Sequence, residues 1–400
     1  MARLFATLLF VLLIGKQALL PEAYEPVSFF LTWQKLPNTT MTVRYVTKDD
    51  RANDTIEWRE RGTSAWESAN GRHIRMPQKL PYFIHSVELT SLKPGQAYEF
   101  RFSDEGKVYF FRTAPSHLTR TLRFAVGGDM YHDGIEDLKE TMRQAAAQDP
   151  LFVVAGGDLA YAAPVVSLFG EDAKRWFTWL KAWQDTMVAP DGRIIPLVPV
   201  IGNHEVIGRY LQTRDQAEFY YALFATPEPK TNYVLDFGDY MTFIVLDSEH
   251  TQSIEGEQAR WLQDTLLKRS QVPNKFAAYH VPAYPSVRKY EGKVSTKVRE
   301  TWVPYFEAAS LNAAFEHHDH AYKRTHPLFK GKIDEEKGVL FLGDGAFGIK
   351  EPRQPKDLDS KWYLVKALPE RHFILVSLKG RVRQYQAINY KGVVIDSTIR

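Results

Sequence analysis

The chain has 400 residues, 44% of them hydrophobic and 25% charged, with a formal net charge of +3 and no cysteine. That length can bury more than one core, and the well-mixed charges form no concentrated basic stripe of the kind a nucleic-acid backbone needs, so no nucleic-acid partner is indicated. Without cysteine, stability has to come from packing and bound metal rather than from disulfides.

Arg3 precedes an apolar run from Leu4 to Ile14. The run is too short to cross a bilayer and has the length of a secretory signal core, so residues 1–20 are expected to be a signal peptide and the protein to be secreted or periplasmic. No stable membrane span is expected beyond that segment. Because Gly15-Lys16-Gln17-Ala18 lacks a clean small-x-small pattern, an uncleaved signal anchor is the alternative.

From about Glu25 to Ala114 the texture changes to short alternating runs, among them Ser28 to Trp33, Met41 to Val46 and Ala97 to Phe102. Helical periodicity is absent, and short strands at regular spacing predict a small β-sandwich over residues 24–116. No ligands cluster in this stretch of sequence, so no chemistry is assigned to it.

Beyond the sandwich, residues 120–400 read as an α/β domain. Leu122 to Val126, Leu151 to Ala155 and Leu197 to Ile201 are short, apolar and rich in β-branched residues, as buried strands are. Helical spacing over Ile135 to Ala147 and Trp176 to Met187 lies between them. Met241 to Leu246, Phe276 to His280 and Ala313 to Glu316 predict further strands, and Glu257 to Lys268 and Val298 to Ala309 predict helices. The stretches Val339 to Leu342, Phe373 to Leu378 and Val382 to Ile388 are expected to be strands of a second sheet.

Five segments place oxygen and nitrogen donors just after predicted strands: Gly128-Asp129, Gly157-Asp158-Leu159-Ala160-Tyr161, Gly202-Asn203-His204-Glu205, His280 and His318-Asp319-His320. Ligands of open α/β sheets gather at such strand ends. Glycines 127, 128, 156, 157 and 202 are expected to let the backbone turn sharply there. Asp129, Asp158, Tyr161, Asn203, His280, His318 and His320 are seven candidate donors, more than one four-coordinate ion uses, so two adjacent ions are the economical reading. Hard oxygens mixed with imidazoles suit iron, zinc or manganese. The spacing of His318 and His320 on an extended segment is expected to put both rings on the same side, which favours a shared metal site. Taken singly, Tyr161 could be a core aromatic, His204 a capping histidine and His317 a surface side chain.

These segments resemble the five motif blocks of the calcineurin-like metallophosphoesterases, and the tyrosine of Gly157-Asp158-Leu159-Ala160-Tyr161 resembles that of the purple acid phosphatases. Leu92-Lys93-Pro94-Gly95-Gln96-Ala97-Tyr98 is similar to the fibronectin type III turn leading into a tyrosine corner. The resemblance implies a four-layer αββα sandwich preceded by a fibronectin type III-like β-sandwich. It implies an exported phosphatase acting on small-molecule phosphate monoesters through attack by a metal-bound hydroxide. Asp129, Asp158, Tyr161 and His320 would hold Fe(III), and Asp158, Asn203, His280 and His318 a divalent zinc, iron or manganese ion, with Asp158 as the bridge. His204 would be catalytic, contacting the phosphate and helping the leaving group depart. A phosphodiesterase of the same superfamily and a non-catalytic exported binding protein with a structural metal site are the alternatives.

The chain departs from the family pattern at Tyr131, where glycine is usual, and at Lys323, where glutamate is usual. Plant-type members carry a phosphate-binding histidine roughly ten residues after the position of His280, whereas Ser286-Val287-Arg288-Lys289-Tyr290-Glu291-Gly292 contains none. Arg288, with a bidentate fork, or Lys289, with a point charge, is the candidate replacement. A solvated basic loop is the plain reading of the same residues.

Overall fold

The structure is a computed structural model that describes residues 25–48, 54–166, 170–343 and 345–400. The expected signal peptide lies outside the described residues. Among the described residues, no helix is long and apolar enough to cross a membrane.

The N-terminal region forms two antiparallel four-stranded sheets. One runs in the order Ser28–Thr32, Met41–Thr47, Phe83–Leu89, Arg72–Arg75, and the other Glu67–Asn70, Thr55–Glu60, Ala97–Arg101, Tyr109–Arg112. Alternation along the strands turns Phe29, Tyr45, Phe100, Phe102 and Phe111 inward, where Phe29 meets Phe100 at 5.9 Å and Tyr45 meets Phe102 at 5.0 Å between ring centroids. The tyrosine corner forms, with the backbone N–H of Lys93 donating to the Tyr98 hydroxyl at 2.7 Å.

Every residue of Ser28–Thr32 is buried, because its outward side chains pack on the second domain instead of facing water. Phe30 touches Phe224 at 5.7 Å, the Thr32 hydroxyl donates to the carbonyl of Leu197 at 2.9 Å, and the buried Arg44 guanidinium donates to the carbonyl of Leu223 at 3.0 Å. The two domains therefore share a continuous interior.

The second domain stacks two mixed sheets face to face. The first has the order Leu197–Val200, Val153–Gly156, Leu122–Gly127, His372–Lys379, Val382–Asn389, Val394–Ile399. The second has the order Tyr233–Phe237, Met241–Val245, Asn274–Ala278, Ala313–Glu316, Leu340–Gly343, Tyr322–Thr325, Leu364–Leu368. Phenylalanines fill the gap between them: Phe124 of the first sheet lies 5.8, 5.3 and 6.1 Å from Phe243, Phe276 and Phe315 of the second. Helices Ile135–Ala147 and Ala173–Thr186 cover one outer face, and Glu257–Lys268, Lys293–Thr301 and Val303–Ala308 the other. This is the four-layer αββα arrangement.

Two expectations are corrected. The single helix from Val298 to Ala309 is two helices that break at Trp302, one residue ahead of Val303-Pro304, where proline lacks the N–H that a continuing helix would use. The strands containing Phe373 to Leu378 and Val382 to Ile388 belong to the first sheet, since His372–Lys379 pairs antiparallel with Leu122–Gly127, Ile374 opposite Val126. Apolar alternation marks a strand but not its partner. The chain's return across both sheets is a long-range choice made by packing.

Candidate metal centre

Leu122–Gly127, Val153–Gly156 and Leu197–Val200 are parallel, as are Asn274–Ala278 and Ala313–Glu316, so each set ends at one edge and sends its loops to the same place. The loops are laced together through their backbones. The N–H of Asp129 donates to the Gly157 carbonyl at 2.9 Å, that of Met130 to the Asp158 carbonyl at 2.9 Å, and that of His317 to the His280 carbonyl at 2.9 Å. Glu205, fully buried, accepts from the N–H groups of Asp158 at 2.7 Å, Leu159 at 2.7 Å and Gly202 at 2.8 Å, which clamps two of the loops to each other.

All seven expected donors converge. In one group the Tyr161 hydroxyl lies 3.0 Å from Oδ1 of Asp129 and 3.1 Å from Nε2 of His320, and that nitrogen lies 2.9 Å from the same Oδ1. In the other, Oδ2 of Asp158 is 3.2 Å from Nε2 of His280, which is 3.1 Å from Nδ1 of His318. Asn203 is buried immediately before His204, whose backbone N–H donates to Oδ1 of Asp158, and its own Oδ1 has no hydrogen-bond partner among the described residues. A buried amide oxygen without a donor is costly, and a cation satisfies it. The donor set is hard oxygen plus imidazole with no sulfur, so the residues fit a pair of iron, zinc or manganese ions.

Electrostatics point the same way. Burial lifts the carboxyls of Asp129 and Asp158, but the histidines outweigh it: His320 and His280 hold Asp129 below its usual value, and His280 and His204 hold Asp158 well below. For His280, burial is overcome by Asp158 and Asp129, which raise it to about 9. Burial, reinforced by Asp129 and Asp158, pushes the Tyr161 phenol well above its ordinary value. Without metal the site thus pairs two carboxylates with a protonated His280 and a protonated Tyr161 phenol, and the positive charge of a bound cation would take the place of those protons.

The backbone here differs from the sequence-based expectation. Of the five glycines expected to turn, only Gly157 has a positive φ, at 88°, while the ligands themselves occupy the left-handed region: Asp129 at 57°, Asp158 at 53°, Tyr161 at 50°, His318 at 78° and His320 at 60°. His318 and His320 therefore sit on left-handed backbone and not on an extended segment, and each joins a different one of the two donor groups. Such conformations cost on the order of 1–3 kcal/mol each and persist where surrounding contacts over-determine them. The other glycines serve close approach; a Cβ on Gly156 would lie 2.0 Å from Nε2 of His317.

His317 itself is buried, not superficial, because it fills the space those glycines leave. Among the described residues neither of its ring nitrogens has a hydrogen-bond partner, and burial first, then His280, presses it down to about 3. Lys323 is also accounted for: it is buried and paired with Glu316, whose carboxylate accepts from the Tyr279 hydroxyl at 2.5 Å and the Ala283 N–H at 2.7 Å.

His204 lies at the mouth, its ring 4.3 Å from that of Tyr161 and its N–H donating to Oδ1 of Asp158 at 2.7 Å. Burial presses its imidazole down to about 4. Arg288 reaches the centre, but its Nη1 donates to the His318 carbonyl at 2.8 Å and to Oδ1 of the buried Asp319 at 2.9 Å. The Lys289 side chain is exposed and its ammonium makes no hydrogen bond or ion pair among the described residues.

Sequence reasoning missed four neighbours. Arg209 donates to Nε2 of His204 at 2.8 Å, the Tyr210 hydroxyl is 3.4 Å from Nε2 of His318, and the ring of His132 is 5.0 Å from that of Tyr161. Glu205, the fourth, was legible as the last residue of its motif block. Arg209 and Tyr210 lie in an irregular loop with positive φ at Gly208, Arg209 and Leu211, which no periodicity announces. His132, Tyr161, His204, Arg209, Arg175 and Glu171 line a cleft of about 640 Å³ beside the donors.

Comparison with known proteins agrees with this geometry. The family model described as "Purple acid Phosphatase, N-terminal domain" matches residues 26–113, and that of the calcineurin-like phosphoesterases matches residues 122–322. Purple acid phosphatase 22 of Arabidopsis thaliana is 25% identical over 339 residues, covering 79% of this chain and 72% of that protein. Purple acid phosphatase 21 of the same plant is 28% identical over 294 residues, covering 68% of this chain but only 62% of its own length. The structure of purple acid phosphatase PPD1 from yellow lupin (Lupinus luteus) seeds superposes with a TM-score of 0.77 at 18% identity, over 94% of this chain and 74% of that one, a likeness of fold. The chain belongs to the calcineurin-like metal-dependent phosphoesterases and carries the N-terminal domain of the purple acid phosphatases.

Proposed function

We propose that this chain is an exported phosphatase that hydrolyses small-molecule phosphate monoesters at a dinuclear metal centre. In this reading Asp129, Tyr161 and His320 hold Fe(III), Asn203, His280 and His318 hold divalent zinc, iron or manganese, and Asp158 bridges. The observation that carries it is the pair of donor groups, one on Asp129 and one on Asp158, with Oδ1 of Asn203 unpartnered among the described residues. When bound, the ions supply Lewis acidity toward the attacking water and the phosphoryl oxygens.

The side chains do the remainder. Arg209 and Arg288 present fixed cations to the phosphate, with the exposed Lys289 next in sequence. Two guanidiniums suit a doubly charged monoester better than a singly charged diester. An oxygen of the substrate takes over the N–H that Arg209 now gives His204, and the arriving dianion raises the imidazole's affinity for a proton, which it takes from solvent. His204 then delivers that proton to the departing alkoxide. Export is supported by the apolar run Leu4 to Ile14 after Arg3.

The test is hydrolysis of an aryl phosphate by protein of measured metal content, with a diester as comparison. Turnover of the monoester that tracks two ions per chain is expected. Folded protein holding two ions but inert on both esters would turn the reading to a binding protein.

A further inference from the structure

The N-terminal sandwich, whose sequence shows no clustered ligands, brings one carboxylate and two imidazoles together in space. His73 and His85 are register partners on the antiparallel strands Arg72–Arg75 and Phe83–Leu89, so the backbone fixes their spacing and common side. Asp54 arrives from the opposite sheet, immediately before Thr55–Glu60, and is held by the Gly71 N–H donating to its carbonyl at 2.9 Å. Its Oδ2 lies 2.8 Å from Nδ1 of His73 and its Oδ1 2.6 Å from Nδ1 of His85. The three donor atoms all fall within 4.8 Å of one another.

The surroundings are those of a held ligand. His85 is fully buried, stacked on Tyr45 at 4.4 Å, with its outer nitrogen Nε2 2.8 Å from the Thr47 hydroxyl. A hydrogen bond at the far nitrogen is what sets the orientation of a metal-ligating imidazole. The His73 and Asp54 side chains are 36% and 27% exposed, which leaves the cluster open to water on one side.

We propose that Asp54, His73 and His85 form a binding site for a zinc-class divalent cation, separate from the catalytic centre, with water completing the coordination. Two nitrogens and one carboxylate oxygen suit zinc better than calcium or magnesium, which take oxygen. Bonds of about 2.0 Å in a tetrahedral set put donors about 3.3 Å apart, so the contact to His73 must open by about 0.5 Å and that to His85 by about 0.7 Å. His73 lies on the edge strand and the Asp54 carboxylate is partly exposed, so these two shift while His85 stays against Tyr45. Each imidazole binds the ion through Nδ1 as the neutral tautomer that carries its proton on Nε2, so the proton now at Nδ1 is exchanged through water for one at Nε2, which His85 donates to the Thr47 hydroxyl. Because Asp54 belongs to one sheet and both histidines to the other, the ion staples the sandwich, as a disulfide would in a chain that had cysteines.

The test is the zinc bound per full-length chain at equilibrium dialysis against micromolar free zinc, for the parent, His73→Ala and Asp54→Asn. Both variants are expected to hold one equivalent fewer than the parent while turnover of an aryl phosphate is unchanged. The difference is independent of how many ions the catalytic centre takes. Equal zinc content in all three proteins would overturn the proposal.

Discussion

The Arg209 guanidinium donates to Nε2 of His204 across 2.8 Å, and no carboxylate pairs with it among the described residues. A half-buried cation without a counter-charge is poised for an anion, and losing a charge-assisted bond to phosphate costs about 1.5–3 kcal/mol. Arg209→Gln is therefore expected to raise KM for a monoester by on the order of tenfold or more, with inhibition by inorganic phosphate weakened in parallel. Arg209→Lys should restore part of both. Unchanged KM and unchanged phosphate inhibition in Arg209→Gln would remove Arg209 from the substrate site.

Arg288 differs because its guanidinium is already engaged by Asp319 and the His318 carbonyl. Some of its charge is spent on holding the ligand loop. Side-by-side kinetics of the alanine variants should rank the losses in kcat/KM as Arg209 above Arg288 above Lys289, the last near parent. A dominant effect at Lys289 would contradict this order.

Tyr161 gives a spectroscopic prediction. Its phenol is held well above its ordinary value by burial, Asp129 and Asp158, so metal-free protein carries a protonated, colourless tyrosine. Adding ferric ion should produce an intense visible band from tyrosinate coordination, and Tyr161→Phe should abolish that band while leaving the fold intact. A band of undiminished intensity in Tyr161→Phe would show that another residue colours the site.

Much of this centre could be read from the chain because each ligand follows an apolar strand closely and the strands end at one edge. Ile135–Ala147 and Glu257–Lys268 were legible to the residue from their periodicity. What could not be read was set by distance along the chain. The pairing of His372–Lys379 with Leu122–Gly127, and the meeting of Asp54 with His85, depend on contacts across many residues. The left-handed backbone at His318 and His320 was missed for a different reason: histidine adopts it more often than most residues but still seldom, so the sequence does not announce it, and packing imposes it.

Gly345 exposes that packing. Its φ is +71°, and a Cβ there would lie 1.8 Å from Oδ2 of Asp129, the atom that accepts from the His318 N–H at 2.7 Å. Gly345→Ala should displace Asp129 and strip metal and activity together, leaving the far-ultraviolet circular dichroism unchanged. Gly256→Ala is the control: its φ is +72° and its ψ −118°, a conformation that L residues rarely adopt, with nothing within 4 Å of the added carbon among the described residues, so backbone strain of about 1–3 kcal/mol without loss of metal is expected there. Full metal content in Gly345→Ala would mean that the loop carrying Asp129 yields.

His317 ties the centre to acid stability. Burial, reinforced by His280, presses it down to about 3 from an ordinary 6.5, so the folded protein keeps it neutral while the unfolded chain takes up a proton below that ordinary value. The unfolded state then binds more protons, and stability falls with pH from 6.5 toward 3. At pH 4.5 the loss is about 2–3 kcal/mol. His317→Leu removes a ring whose nitrogens have no hydrogen-bond partners among the described residues, so it should change stability little at neutral pH and unfold less readily than the parent in acid. Urea denaturation at pH 7 and pH 4.5 measures both, and a parent-like drop in the variant would place the acid sensitivity elsewhere.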